Sequence, residues 1–219
     1  MKKEFNTKNL LEDQLAADII SAIKSAIEQF GDARILLSGG STPIELYAKL
    51  AEAPIDWKKV IIGLVDERFV PIDHPSNNEK MIRTQLGDKT GATILSMVPD
   101  SSNRLNNLSL VDENYAPFKE RIDFCLLGMG EDGHTASLFP NDPNSEENLN
   151  NDFIGFVNTQ APVEPTNRIS CSKELLLKST HLAVMLIGEN KLTVFNQAKE
   201  AKYPISYFTS KLVVYYTEK

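Results

Sequence analysis

The chain has 219 residues, of which 42% are hydrophobic and 24% are charged, the composition of an ordinary globular protein. This length suits one large domain spanning residues 1–219. The formal net charge of −7 disfavours general nucleic-acid binding, because that function needs a basic face. No run approaches the roughly 18 apolar residues of a membrane span, and residues 1–11 lack the apolar centre of a signal peptide. The composition therefore predicts a cytoplasmic protein with neither a nucleic-acid nor a membrane partner.

The cysteines and histidines indicate a reducing compartment and no metal site. Cys125 and Cys171 both lie in apolar, strand-like runs, which favours small buried residues in a reducing compartment over a disulfide. The three histidines, His74, His134 and His181, are far apart and form no His-x-x-x-His pair. We therefore expect no bound metal.

The elements can be predicted in chain order. Apolar residues recur at helical spacing from Leu10 to Phe30, and Gly31 ends that helix. Short apolar runs predict strands at 34–38, 60–65, 93–98, 122–127, 153–157, 168–171, 182–187 and 211–216. Helices are predicted at 43–50, 77–86, 103–117, 173–178 and 191–199, and a polar surface loop at 141–152. Alternating strands and helices predict an α/β fold, a doubly wound, Rossmann-like, mainly parallel sheet with helices on both faces.

The stretch from Gly128 to Pro140, called the glycine loop below, reads Gly-Met-Gly-Glu-Asp-Gly-His-Thr-Ala-Ser-Leu-Phe-Pro. It follows a predicted strand and shows helical character over 135–139, so Asp132 and His134 lie at a strand-to-helix junction, where α/β folds bind ligands. A helix N-terminus favours neutral imidazole, which can accept a proton from water, and Asp132 could fix its tautomer. An ordinary turn with His134 as a helix cap is the alternative.

Residues 38–45, Ser-Gly-Gly-Ser-Thr-Pro-Ile-Glu, form a second strand-to-helix junction. Thr42 fits an N-cap that opens a capping box, so this stretch can simply be the start of a helix. Alternatively, the backbone N–H groups of Gly39 and Gly40 bind an anion, with the hydroxyls of Ser41 and Thr42 as further donors. The Gly-Lys-Ser/Thr ending of a Walker loop is missing.

A third polar turn follows the strand at 60–65. Asp66 and Arg68 flank Glu67 there, and Asn77 opens the next helix. Taken singly, these charges could form a surface ion pair. Three polar turns at the carboxyl ends of strands favour one shared cleft.

With these motifs in view, the chain resembles the 6-phosphogluconolactonases, in a family shared with glucosamine-6-phosphate isomerase. The motifs that carry the resemblance are residues 38–43, 66–68 with 76–77, 128–140, 168–170 (Arg-Ile-Ser) and 188–191 (Gly-Glu-Asn-Lys).

The resemblance implies a modified doubly wound fold that hydrolyses 6-phospho-D-glucono-1,5-lactone in the oxidative pentose phosphate pathway, without metal or organic cofactor. We expect His134 to activate water and Asp132 to orient the imidazole, with Asp66 as the reserve candidate because its turn meets the same cleft. The substrate-binding residues would be Gly39, Gly40, Ser41, Thr42, Arg68, Asn77, Gly130, Arg168 and Lys191. We expect a monomer or a weak homo-oligomer.

Two alternatives stay open. The isomerases of this family resemble the chain at the histidine loop but carry a glutamate five residues after the histidine, where this chain has Phe139. A non-catalytic sugar-phosphate sensor would need a DNA-binding module, and the sequence shows no such module.

Overall fold

Short apolar runs separated by polar turns become the strands of the protein. The computed structural model describes residues 1–219 apart from the side chain of Leu105. The strands are β1 (Lys2–Phe5), β2 (Ala33–Leu37), β3 (Val60–Leu64), β4 (Asp66–Arg68), β5 (Thr93–Ile94), β6 (Phe124–Leu127), β7 (Phe156–Gln160), β8 (Asn167–Cys171), β9 (His181–Ile187) and β10 (Val213–Thr217).

Seven strands form one parallel sheet in the order β1-β10-β9-β6-β2-β3-β5. The predicted α/β fold with a mainly parallel sheet is confirmed. The first strand, β1, was not predicted, because its sequence Lys-Lys-Glu-Phe has one apolar residue and lies at the sheet edge.

The helices are α1 (Lys8–Phe30), α2 (Ile44–Ala51), α3 (Asn78–Ile82), α4 (Asp88–Thr90), α5 (Arg104–Asn114), α6 (Ala116–Glu120), α7 (Pro143–Leu149), α8 (Lys173–Leu177) and α9 (Glu189–Gln197). The Thr7 side chain caps α1, and Gly31 ends it at a φ of 87°, a conformation that favours glycine. The apolar stripe of α1 is buried where the helix packs against β2 and β10. No described helix combines the length and apolar character needed to cross a membrane.

A second, antiparallel sheet in the order β4-β8-β7 was not predicted. The chain passes from β3 through Val65 directly into β4, where the sequence predicted a turn. The register pairs Asp66 with Ser170 and Arg68 with Arg168. This pairing brings the third polar turn beside a strand about 100 residues later in the chain.

Two predictions of secondary structure were wrong. Residues 135–139 are not helical, because Ala136 has a φ of 48° and the Leu138 N–H closes a tight turn onto the Thr135 carbonyl. The expected loop at 141–152 contains α7, which the Asp142 carboxylate caps through the N–H and the hydroxyl of Ser145.

The parallel sheet reverses its strand order between β2 and β6. Chain segments after β2 build one side of the sheet, through β3 and β5, whereas those after β6 build the other, through β9 and β10. At such a point the loops after the two strands diverge and leave a crevice at the carboxyl ends of the strands. The turn after β2 and the glycine loop after β6 therefore border one crevice.

The capping box predicted at Thr42 does not form. The cap position of α2 is Pro43, and no side chain hydrogen-bonds there. We expect Thr42→Ala to change the free energy of unfolding by only a few tenths of a kcal/mol, whereas Asp142→Ala should cost about 1 kcal/mol through the cap of α7. Urea denaturation of both variants measures the contrast. A larger loss in Thr42→Ala would restore the capping box.

Candidate active site

A cavity of about 280 Å³ lies in the crevice between β2 and β6. It is called the main cavity below. Its walls come from the turn after β2, from β4, from the first turn of α3, from the glycine loop, and from β8, β9 and α9. The lining residues are Ser38, Gly39, Gly40, Ser41, Thr42, Pro43, Asp66, Arg68, Asn78, Leu126, Leu127, Gly128, Met129, Gly130, His134, Ala136, Arg168, Met185 and Lys191. The shared cleft predicted for the three polar turns is thus present.

His134 and Asp132 form a hydrogen-bonded pair at this cavity. The His134 Nδ1 lies 2.5 Å from the Asp132 Oδ1, and the His134 backbone N–H donates to the same oxygen. Burial works to raise the pKa of Asp132, but the hydrogen bonds and charge of His134 prevail and lower it. An ionised Asp132 fixes Nδ1 as the donor and leaves Nε2 free to accept a proton. Since no helix begins at residue 135, this carboxylate, rather than a helix dipole, orients the imidazole and fixes its tautomer.

Gly130 makes room for that pair rather than binding through its own N–H. A Cβ atom at Gly130 would lie 2.2 Å from the His134 Nδ1 and 2.6 Å from the Asp132 Oδ1. Its N–H donates to the His134 carbonyl and so is committed within the loop. Gly130, predicted as a substrate-binding residue, lines the cavity, but its N–H group is not free to donate to a ligand.

Asp66 lines the cavity but contacts a different part of the glycine loop. Its Oδ2 accepts a 2.5 Å hydrogen bond from the buried hydroxyl of Ser137. The Ser137 N–H donates to the Ser170 hydroxyl, and the Ser137 carbonyl accepts from Thr159. Of the two carboxylates proposed to orient the imidazole, the one bonded to the ring is Asp132. Asp66 instead ties the loop to the second sheet.

Arg68 and Arg168 are opposite each other on neighbouring antiparallel strands and both line the cavity. The Arg68 Nη1 donates to the Ser76 carbonyl and the Arg168 Nε to the Pro165 carbonyl, so both guanidinium groups are held in place. Burial and the neighbouring Arg68 charge lower the pKa of Arg168. Two cations in this arrangement favour an anionic ligand, because like charges directly opposite each other repel.

Lys191 adds a third cation. It lies in the first turn of α9, lines the cavity, and donates to the Met129 carbonyl at 2.5 Å. Burial lowers its pKa, while the charges of Glu131 and Asp132 act in the opposite direction. A nearby anion would oppose the effect of burial.

The turn of Gly39, Gly40, Ser41 and Thr42 lines the opposite wall. None of these four N–H groups donates to a backbone carbonyl within the described residues. Gly40 has a φ of 90°, which a glycine adopts without strain. The turn leads into the N-terminus of α2, where no side chain occupies the cap. Residues 39–42, called the 39–42 turn below, therefore have a geometry that can bind an anion.

Asn78, which the sequence analysis missed, lines the cavity in place of the predicted Asn77. The Asn77 side chain caps α3 by accepting from the Lys80 N–H. Asn78 packs against the 39–42 turn, where a Cβ at Gly39 would lie 2.0 Å from its Cγ. Because an N-cap side chain is committed to its own helix, the adjacent asparagine was the better candidate.

Glu67 holds Asn78 in place through hydrogen bonds to the first turn of α3. Its buried carboxylate accepts the backbone N–H groups of Arg68, Asn78 and Glu79. Burial raises the pKa of Glu67 to about 8, and the three N–H donors oppose that rise. Glu67 thus supports the cavity wall from outside the lining.

Apolar lining residues were also missed by sequence reasoning. Met129, Ala136 and Met185 contribute to the cavity walls. Only their position near strand ends could have indicated this, since apolar residues there are equally typical of core. Among the described residues, no group of three or more His, Cys, Asp and Glu side chains is arranged to hold a metal ion.

Comparison with known proteins agrees with the geometry. Residues 6–215 match the family of glucosamine-6-phosphate isomerases/6-phosphogluconolactonase. The chain is 34% identical to a 6-phosphogluconolactonase of Pseudomonas putida over 192 residues, covering 84% of this chain and 77% of that protein. It is 32% identical to a 6-phosphogluconolactonase of Neisseria meningitidis over 200 residues, covering 88% and 86%. The crystal structure of a 6-phosphogluconolactonase from Shewanella baltica superposes with a TM-score of 0.92 at 33% identity, covering 99% and 97%.

We expect Gly130→Ala to expel the His134 ring from its bond with Asp132, because the new Cβ would overlap the ring. The ring is partly exposed and can swing outward, so the melting temperature should change little. Gly128→Ala is the matched control, since its Cβ would meet Ser38 at an ordinary 3.9 Å. NMR of the histidine ring nitrogens reports the bond. An unchanged Nδ1 signal in Gly130→Ala would contradict the steric argument.

Proposed function

Because the chain belongs to the glucosamine-6-phosphate isomerase/6-phosphogluconolactonase family, we propose that it hydrolyses 6-phospho-D-glucono-1,5-lactone to 6-phospho-D-gluconate in the oxidative pentose phosphate pathway. One observation carries the proposal: a single cavity is lined by His134, bonded to Asp132, and by three cationic side chains, those of Arg68, Arg168 and Lys191. Such a cavity can anchor a phosphate and present the lactone carbonyl to a base.

The phosphate end of the substrate lies on the turn of residues 39–42. That turn offers backbone N–H groups and the hydroxyls of Ser41 and Thr42. Arg168 supplies a planar donor suited to bidentate phosphate contact, and Lys191 supplies a compact charge. The chain as a whole carries a net charge of −7, so a dianion needs this local gathering of cations.

Hydrolysis proceeds by a water molecule that His134 activates. Since Nδ1 donates to Asp132, Nε2 takes the proton from water as the oxygen attacks the lactone carbonyl. The imidazolium that forms is stabilised by the Asp132 carboxylate. The proton then passes to the departing ring oxygen, so that one residue serves as base and then as acid.

The tetrahedral intermediate carries a negative oxygen that needs donors. The Gly130 N–H is excluded, because it donates to the His134 carbonyl. The Arg68 guanidinium lines the cavity and is not assigned to the phosphate, so it is the donor that we assign to this oxygen.

The environment of His134 favours hydrolysis over isomerisation. Phe139 is the fifth residue after His134, the sequence position at which the isomerases of this family carry a glutamate. Its ring centroid lies 4.6 Å from that of His134. An apolar ring cannot carry the proton of an aldose–ketose exchange. Glucosamine 6-phosphate is therefore the control substrate, and its conversion at a comparable rate would overturn the proposal.

We further propose a cytoplasmic enzyme that is monomeric or weakly associated and that uses no metal or organic cofactor. The free, buried state of Cys125 and Cys171 supports a reducing compartment. Gel filtration and activity in the presence of a chelator test the other two points.

We expect His134→Asn to lower kcat by about 10²–10⁴-fold with little change in KM, because the variant loses the general base but keeps the phosphate contacts. Wild-type kcat/KM should fall on the acidic side, where protonated imidazole cannot accept a proton. A pH-stat assay of lactone hydrolysis measures both. Retention of kcat in His134→Asn would remove this residue from the mechanism.

Asp132→Asn and Asp66→Asn separate the two carboxylates in the same assay. Asp132→Asn should lower kcat, because the amide no longer fixes the imidazole tautomer. If Asp66→Asn lowers kcat and Asp132→Asn does not, the orienting role passes to Asp66.

We expect Arg168→Ala and Lys191→Ala to raise KM for the phosphorylated lactone and to leave hydrolysis of unphosphorylated gluconolactone unchanged, because both cations bind the phosphate. The measurement is the ratio of kcat/KM for the two lactones, which should fall by about tenfold or more in each variant. A constant ratio would move phosphate binding to Arg68.

A further inference from the structure

The Phe139 ring lies between two groups of the main cavity. It is tilted by 42° to the His134 ring at a centroid distance of 4.6 Å. The Arg168 Cζ lies 5.8 Å from the centroid of the same ring. Phe139 is 3% exposed. One buried aromatic ring thus contacts both the proposed base, His134, and a proposed phosphate-binding residue, Arg168.

Phe139 itself is held by the start of α7. Its backbone N–H donates to the Ser145 hydroxyl at 3.0 Å, and that hydroxyl donates to Asp142 at 2.6 Å. Ser145 is fully buried. The helix that sequence reasoning missed therefore fixes the place of this ring.

Phe139 also forms a wall behind the site. A second cavity of about 420 Å³ is lined by Phe139, Pro140, Asn141, Leu149, Tyr203 and Tyr207, among others. His134 and Arg168 line the main cavity, and neither lines the second one. The ring therefore separates the proposed base from a second space that water can enter.

The face of an aromatic ring attracts cations. In the proposed reaction His134 becomes an imidazolium, and Arg168 is permanently charged. The other charged groups near the imidazole are Asp132, bonded to its Nδ1, and Asp66, Arg68 and Lys191 on the cavity walls. Replacing the ring by an aliphatic group of similar bulk would leave all of these in place and remove only the π face.

We infer that Phe139 is a positioning residue. Its ring packs against both the proposed base His134 and Arg168 and holds them in place, so that proton transfer and phosphate binding depend on one ring. This inference rests on the proposed function for its kinetic consequences. Its structural content, the coupling of His134 and Arg168 through Phe139, is independent of that function.

The test is Phe139→Leu, with Phe156→Leu as the matched control. Phe156 is similarly buried at 5% exposure, but its ring packs edge-on against Tyr115 at 5.3 Å, whereas that of Phe139 contacts His134 and Arg168. We expect Phe139→Leu to lower kcat and to raise KM for the phosphorylated lactone, each by about threefold to tenfold. The acid limb of kcat/KM should move to lower pH by about half a unit, because the imidazolium loses the ring face. Phe156→Leu should lower only the melting temperature.

Ser145→Ala provides a second variant in case Phe139→Leu folds poorly. It removes the acceptor of the Phe139 N–H and keeps the ring, so it should shift KM and the acid limb in the same direction by a smaller amount.

Two measurements do not depend on lactone hydrolysis. Titration of the histidine ring signals by NMR should show the His134 midpoint displaced in Phe139→Leu, with His74 and His181 as internal references. Calorimetry with 6-phosphogluconate should show weaker binding in Phe139→Leu than in the wild type. When Arg168→Ala is present in both proteins, most of that difference in affinity should disappear.

The outcomes separate the two proposals. If the wild type hydrolyses no lactone but Phe139→Leu still alters the His134 titration and ligand binding, the proposed function fails and the coupling stands. If Phe139→Leu and Phe156→Leu differ from the wild type only in melting temperature, Phe139 is an ordinary core residue and the inference is overturned.

Discussion

The reversal of strand order between β2 and β6 is the constraint on which the site depends. Neighbouring parallel strands whose following segments go to opposite sides leave a crevice that neither segment can fill. The 39–42 turn after β2 and the glycine loop after β6 are both placed by that geometry. Gly39 and Gly130 then let each loop approach a functional side chain, Asn78 in one case and His134 in the other, at distances that a Cβ would forbid.

Sequence reasoning succeeded where the signal was local. Apolar runs predicted eight of the ten strands, all but β1 and β4. Three polar turns at strand ends predicted a common cleft, because the carboxyl ends of parallel strands share one edge. The pairing of Asp132 with His134 was also predictable, since only Gly133 lies between them in a tight turn. These inferences needed no knowledge of contacts between distant parts of the chain.

The remainder depended on distant contacts. β4 has three polar residues and becomes a strand only because β8 pairs with it. The glycine loop was expected to become helical, but Ser137 is bonded to Asp66 and Ser170 on the second sheet, and those tertiary bonds overrode local propensity. α7 differs, because Asp142 before Pro143 is a recognisable helix start that the surrounding asparagines obscured.

The charges of the site oppose folding in the absence of ligand. Arg68 and Arg168 are directly opposite each other, a like-charge pairing that destabilises a sheet, and burial lowers the pKa of Arg168 and Lys191. The Asp66 carboxylate lies on the same strand as Arg68 and offsets part of this repulsion. An anionic ligand supplies the rest, and a ligand that binds only the folded state stabilises it by mass action. The three cations that we propose to bind phosphate therefore make the free protein less stable than its complex with an anion.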